Sequence, residues 1–340
     1  MSYRSHTPPM VATWLFIVAL MICVMIIVGG ATRLTDSGLS ITEWKPISGA
    51  LPPLSQDAWQ ADFDLYRQSS EYQLQNRGMT LEEFKFIFWW EWGHRQLGRL
   101  IGLVYGVPLL IFWLTGRISG RLKPRLLVLL ALGGLQGFIG WWMVSSGLVD
   151  RTDVSHYRLA THLGMAFVIL GLSVWYGMEA LHGPPPVRKG RLLGWSHAVW
   201  AAIFVQILMG ALVAGLDAGL IYNTWPGMNG EVVPSAYFGN LPWWQAPFES
   251  IAAVQYHHRL MAYAVTILVG VFAWKLYKEP QAALKPFMIA LPVVVLGQVV
   301  LGITTLVHVA PLSLSLLHQG GAIILFITAG LACWTARRAI

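Results

Sequence analysis

Charge is scarce in this chain and cysteine is nearly absent. Charged residues make up 11% of the 340, against roughly a quarter of a soluble domain, which excludes an ordinary water-soluble globule. The two cysteines, Cys23 and Cys333, both fall inside apolar runs. They offer no disulfide framework and no C-x-x-C or zinc pattern, and read as packing residues. Lysine and arginine are missing altogether from the stretch 216–256. No transit peptide is expected, because the first apolar run starts about ten residues from Met1. That run is too long, and too poorly provided with a cleavage site, for a removable signal peptide.

What remains is hydrophobic. Apolar residues make up 56% of the chain, and they gather into runs that approach or reach the roughly 20 residues needed to cross a bilayer. Eight spans are read, near 11–30, 94–114, 126–145, 159–178, 197–215, 258–275, 287–307 and 314–335. The formal charge of +7 is concentrated in short connections. Arg117, Arg121, Lys123 and Arg125 lie between spans two and three, and Arg188, Lys189 and Arg191 between four and five. Lys275, Lys278 and Lys285 lie between six and seven, and Arg337 and Arg338 end the chain. This bias puts both termini and the short basic loops in the cytoplasm, with the Trp-rich connections 31–93 and 216–256 facing outward. The basic excess is thus a topology signal, and no nucleic-acid partner is expected.

The chain repeats itself. G-L-Q-G-F-I-G-W-W-M-V at 134–144 aligns with L-G-Q-V-V-L-G-I-T-T-L at 296–306, with Gln136 over Gln298 and Gly140 over Gly302. S-G-L-S-I-T-E-W at 37–44 aligns with A-G-L-I-Y-N-T-W at 218–225. His94-Arg95 falls over His258-Arg259, and His162 over His318. With an even number of spans in each half, the repeats are parallel, related by an axis near the membrane normal. The expected fold is all-α: eight transmembrane helices as two pseudo-symmetric four-helix bundles, residues 1–182 and 183–340. Gly133, Gly137, Gly140, Gly297 and Gly302 read mainly as close-packing positions. The segment Thr80 to Glu83 reads as a capping box opening a helix into span two. The Phe84, Phe86, Phe88, Trp89, Trp90 and Trp92 that follow read mostly as an interfacial aromatic belt.

An imidazole at the edge of the hydrocarbon is costly without a partner. Of ten histidines, His6, His182 and His197 lie near cytoplasmic ends, while His156 and His308 lack repeat equivalents. His257 neighbours His258 but does not match the His-Arg pair. The four repeat-matched histidines begin spans that all run inward, so His94 can face His162 and His258 can face His318. Two neutral imidazoles on opposite faces of one iron make a six-coordinate haem; zinc would want further ligands. Arg95 and Arg259 are candidates for haem propionates. Glu91, one turn before His94, stands where the second half has Gln255. That asymmetry is expected if the first half does chemistry, as a proton acceptor or a stabiliser of positive charge, and the second half only holds a cofactor.

At these residues the sequence resembles the haem A synthase family of cytochrome oxidase assembly. The resemblance rests on G-G-A-T-R-L-T-x-S-G-L-S at 29–40, W-K-P at 44–46, E-W-G-H-R at 91–95, G-x-x-G-W-W-M-V at 137–144, T-H-L at 161–163, H-H-R at 257–259 and L-H-Q at 317–319. It implies oxidation of a haem O methyl to the formyl of haem A by successive hydroxylations, with water as oxygen source. By matching motif, Glu91, His94 and His162, with Arg95, would belong to the substrate-haem site in the first bundle. His258 and His318 would ligate a resident haem b in the second. Haem O synthase and cytochrome oxidase assembly factors are the implied partners, beside an unidentified electron acceptor; a homo-oligomer is left open. Some members carry a cysteine pair in the first outer loop; here there is none, so a thiol route for electrons is not expected. The cysteine-free pattern resembles the proteobacterial and mitochondrial group, and the short N-terminus points to a bacterial inner membrane. A different reading is a dihaem, quinone-linked electron-transfer protein with no chemistry on haem. A haem transporter is disfavoured because all four ligands lie at one depth.

Overall fold

The computed structural model describes residues 8–148, 151–186, 190–279 and 281–338. His6, Arg188 and Lys189, named above, lie outside the described residues. The elements, in order, are the helices α1 (Pro9–Leu34), α2 (Gln56–Tyr66), α3 (Ser70–Leu74), α4 (Leu81–Leu114), α5 (Leu122–Val144), α6 (His156–His182), α7 (Arg191–Gly215), α8 (Ala246–Glu249), α9 (Ile251–Lys278), α10 (Lys285–Val307) and α11 (Leu312–Arg338). Eight of these are long and apolar enough to span a membrane. The chain is a multi-pass, all-helical membrane protein.

Helix ends follow local chemistry. α1 starts with proline in its first turn, where a missing N–H costs nothing. The capping box at Thr80 is formed: its Oγ1 accepts from Glu83 N at 3.3 Å, and Glu83 Oε2 accepts from Thr80 N at 2.7 Å. Ser250 caps α9 through Ala253 N. Lys275 and Lys278, and Arg337 and Arg338, occupy the last turns of α9 and α11, where cations offset the negative end of the helix dipole.

α4 is the informative departure from the span reading. Its 34 residues, at about 1.5 Å each, make a rod of about 50 Å, some 20 Å longer than the hydrocarbon is thick. The excess stands at the N-terminal end, so His94 sits near the hydrocarbon edge although it is deep inside the helix. The protruding turns pack with α2 and α3 into a small second core of Phe63, Tyr66, Tyr72, Phe84, Ile87 and Phe88. Phe84 and Phe88 are therefore cap residues and do not join an aromatic belt, whereas Phe86 and Trp89 are exposed as a belt requires. A sequence window sees only apolarity here; the cap that buries two of the rings is built from residues twenty positions upstream.

Within the main core, α1 packs on α4 and α6, and α5 on α6. α7 packs on α9 and α11, and α10 on both α9 and α11. α6 and α7 join the two groups. The long connections 35–80 and 216–250 both lie at the end where the four matched histidines begin their helices.

Candidate haem-binding sites

Each matched histidine faces a glycine on a neighbouring helix. A Cβ added at Gly29 would stand 3.0 Å from His94 Nε2, and one at Gly140 would stand 2.9 Å from His162 Cε1. At Gly210 the distance to His258 Cε1 would be 3.3 Å, and at Gly302 it would be 2.8 Å to His318 Cε1. Gly140 and Gly302 were singled out from the repeat. Gly29 and Gly210 were not, although each lies nine residues before the aligned glycines Gly38 and Gly219 and could have been found that way. The small residue is needed because an imidazole occupies the volume a side chain would fill.

The ring centres of His94 and His162 are 6.5 Å apart, with planes at 73°. An iron between two imidazoles, with metal–nitrogen bonds of about 2 Å and the ring half-widths added, needs a separation of roughly 6–6.5 Å. Gln136 Nε2 donates to His162 O at 3.1 Å, and its counterpart Gln298 donates to His318 O at 2.7 Å. These bonds fix the helix backbone under each ring. His162 Nδ1 and His318 Nδ1 are buried without a partner. His258 is touched by Gln206 Nε2, 3.1 Å from its Nδ1; the first half has Met25 at the matching place. Among the described residues no group of three or more His, Cys, Asp and Glu could hold a bare metal ion. Two histidines per site suit an iron whose other ligands come from a macrocycle, so the residues fit haem.

Glu91 is 3% exposed and held on every side. Its Oε2 accepts from Ser40 Oγ at 2.7 Å and Ile41 N at 2.8 Å. Its Oε1 accepts from Arg95 Nη2 at 2.6 Å and Nε at 3.1 Å. Arg95 also donates to Ile41 O and Glu43 O, and Arg99 to Lys45 O and Pro46 O. The segment 40–46 is thus clamped across the mouth of the first site. In the second half the loop contact is reversed and the arginine contact is kept: Gln255 Nε2 donates to Ala218 O and Ile221 O, while its Oε1 accepts from Arg259 Nη2 at 2.9 Å. Arg259 reaches the carbonyls of Tyr222, Thr224, Pro226 and Gly227. Both arginines therefore tie down loops. Arg259 Nε is buried and unpartnered, a donor still free for a carboxylate.

Arg33 was missed by sequence reasoning. It binds Asp36 at 3.0 Å, Asp217 at 2.9 Å and Asp153 at 3.5 Å, joining three connections across both halves. Asp36 and Asp217 are matched in the repeat and both adopt positive φ, 48° and 50°, a conformation aspartate tolerates better than most residues. An arginine at the end of α1 away from the basic loops was the available signal. Glu71 in the cap is also nearly wholly buried. It is hydrogen-bonded by Tyr66, yet burial, reinforced by the charges of Glu91, Asp36 and Asp153, pushes its carboxyl up to about 8.

The family described as cytochrome oxidase assembly protein matches residues 12–329. The chain is 63% identical to a protein of Maricaulis maris named heme A synthase, over all of both chains. It is 51% identical to a heme A synthase of Caulobacter sp. strain K31, covering 98% of each chain. With that of Parvibaculum lavamentivorans it shares 48%, over 96% of this chain and 94% of the other. Repeat-matched histidines, facing glycines and relatives that match end to end point the same way: the chain belongs to the haem A synthase family of cytochrome oxidase assembly proteins.

Proposed function

We propose that the protein converts haem O to haem A by oxidising one methyl group to a formyl group in successive hydroxylations. Oxidising the methyl to the alcohol consumes water and releases a pair of electrons and two protons. Oxidising the alcohol to the aldehyde releases a second pair of each. The electrons leave to an acceptor of unidentified class. The single observation that carries the reading is the His94–His162 spacing of 6.5 Å, in a bundle whose partner bundle repeats the histidine–glycine arrangement but replaces Glu91 by Gln255. The names of the relatives favour haem A synthesis over a dihaem protein that only passes electrons.

In this reading residues 1–182 hold the substrate haem through His94 and His162, and residues 183–340 hold haem b through His258 and His318. Haem b, when bound, supplies an iron that accepts and passes on electrons. Glu91 takes protons from the reacting methyl. Arg95 holds the carboxylate in place through Oε1, leaving Oε2, bonded by Ser40 and Ile41, as the oxygen that accepts. Of the four donors on Glu91, the Ser40 hydroxyl is the one that can turn away and let a proton in. The spare Nε of Arg259 suits a haem b propionate; Arg95, committed to Glu91 and the loop, has less to offer one. The basic loops support cytoplasmic termini in a bacterial inner membrane, with the histidine ends outward.

The test is substitution of the four histidines, with haem extraction and identification of side groups. His258→Ala and His318→Ala are expected to lose haem b. His94→Ala and His162→Ala are expected to keep haem b and to make no haem A. Equal loss of haem b from all four would overturn the division of labour between the halves.

A further inference from the structure

The two halves differ in how they are closed. In the second half α9 and α10 pack along much of their length; their counterparts α4 and α5 touch only sparsely. The α4–α5 contact includes a buried bond from Tyr105 Oη to Leu126 O at 2.7 Å, toward the end of the bundle away from the histidines. Above it, toward His94 and His162, both helices carry small residues. Gly133 and Gly137 on α5, and Gly102 on α4, are positions where an added Cβ would meet no atom within 4 Å. In the aligned register these three are Val295, Val299 and Thr266. Val295 is 4% exposed, so the second half fills with packed side chain the place where the first half is open.

The opening leads to the substrate site. Gly133 lies on the same stripe of α5 as Gly140, which abuts His162, about two turns away or roughly 10 Å. The rim is apolar and faces lipid, with Leu103 and Val107 on α4 and Leu130 and Phe138 on α5 all exposed. The mouth toward water is covered instead: Arg95 and Arg99 hold the segment 40–46 across it. A flat, lipid-soluble macrocycle therefore meets small residues and sparse packing at the side, and a clamped segment at the aqueous end. We infer that the substrate haem enters the first bundle laterally from the histidine-side half of the bilayer, between α4 and α5, over a sill formed by Gly102, Gly133 and Gly137. The second bundle, closed by Val295, Val299 and Thr266, retains its haem. The asymmetry gives a physical basis for one exchangeable and one resident haem. This rests on the assignment of His94 and His162 to the substrate.

The experiment uses the full chain in lipid nanodiscs, with Cys23 and Cys333 replaced by alanine. Gly133→Cys and Val295→Cys are treated with a membrane-soluble maleimide. Gly133→Cys is expected to react at least tenfold faster, and added haem O is expected to protect it. Gly133→Val, copying the second half, is expected to slow haem O uptake, followed by its Soret change, at least tenfold, with haem b content kept as the sign of a folded protein. Equal labelling of the two cysteines, or unimpaired uptake by Gly133→Val, overturns lateral entry. Failure of the underlying assignment reads differently: His94→Ala would still take up haem O with an unchanged spectrum.

Discussion

Replacing Glu91 by glutamine exchanges one carboxylate oxygen for an amide NH2 in a site that presents four donors to the carboxylate. The glutamine oxygen can serve Arg95, and the amide can donate to a turned Ser40 hydroxyl, but the Ile41 N–H is then left unpaired. An orphaned buried donor costs about 1–3 kcal/mol. Breaking a buried ion pair costs about 3–5 kcal/mol, and here the side-chain exposures are 4% for Glu91 and 18% for Arg95. Since glutamine keeps part of the Arg95 bond, about 2–5 kcal/mol is expected; the Arg95 pair lies within α4, so the lower figure, from the Ser40 and Ile41 contacts, is the part that falls on the docking of residues 40–46. At 1.4 kcal/mol per decade, even the lower figure raises loop opening by about thirtyfold. Hydrogen-exchange mass spectrometry of peptides from 36–54 reads this directly, beside haem A yield from cells supplied with haem O. Glu91→Gln is expected to speed exchange in 40–46 by that factor and to abolish haem A while haem b stays. Ser40→Ala, which removes one of the four donors to Glu91, is expected to open the loop about tenfold, from about 1–1.5 kcal/mol, and to keep measurable haem A. Unchanged exchange in Glu91→Gln would refute the clamp; normal haem A yield would refute Glu91 as the proton acceptor.

Two further outcomes follow from particular contacts. Gly302→Ala puts a methyl 2.8 Å from His318 Cε1, overpacking of the kind that costs about 1–3 kcal/mol; it is expected to lower haem b content, whereas Gly140→Ala, against His162, spares haem b and lowers haem A yield. Glu71 holds its proton up to about pH 8 in the fold, against 4.5 for an unburied carboxyl, so the folded cap binds more protons than the unfolded one between those values. Cap stability should therefore fall as pH rises from about 4.5 to 8 and level off above, and Glu71→Gln should flatten the curve; limited proteolysis of the cap across that range is the measurement, and a pH-independent wild type would contradict the buried acid.

Much of this protein is written locally. Eight apolar runs, a capping box at Thr80 and Glu83, and basic residues confined to short connections set the number of spans because each depends only on neighbouring residues and on the cost of placing charge or unpaired backbone in hydrocarbon. The internal repeat carried the reading further: it selected His94, His162, His258 and His318 from ten histidines, and singled out Glu91 by its mismatch with Gln255. The tertiary structure decided what lay between distant segments. That Arg95 grips Glu91 and the 40–46 carbonyls, that Gly29 and Gly210 make room for imidazoles, that Phe84 and Phe88 belong to a cap, and that α4 stands apart from α5 where α9 closes on α10 are all set by the distances between helices. Periodicity along one helix reports which face is apolar, but two faces of similar composition pack closely or part according to side-chain volumes on both, and those volumes meet only in the assembled bundle.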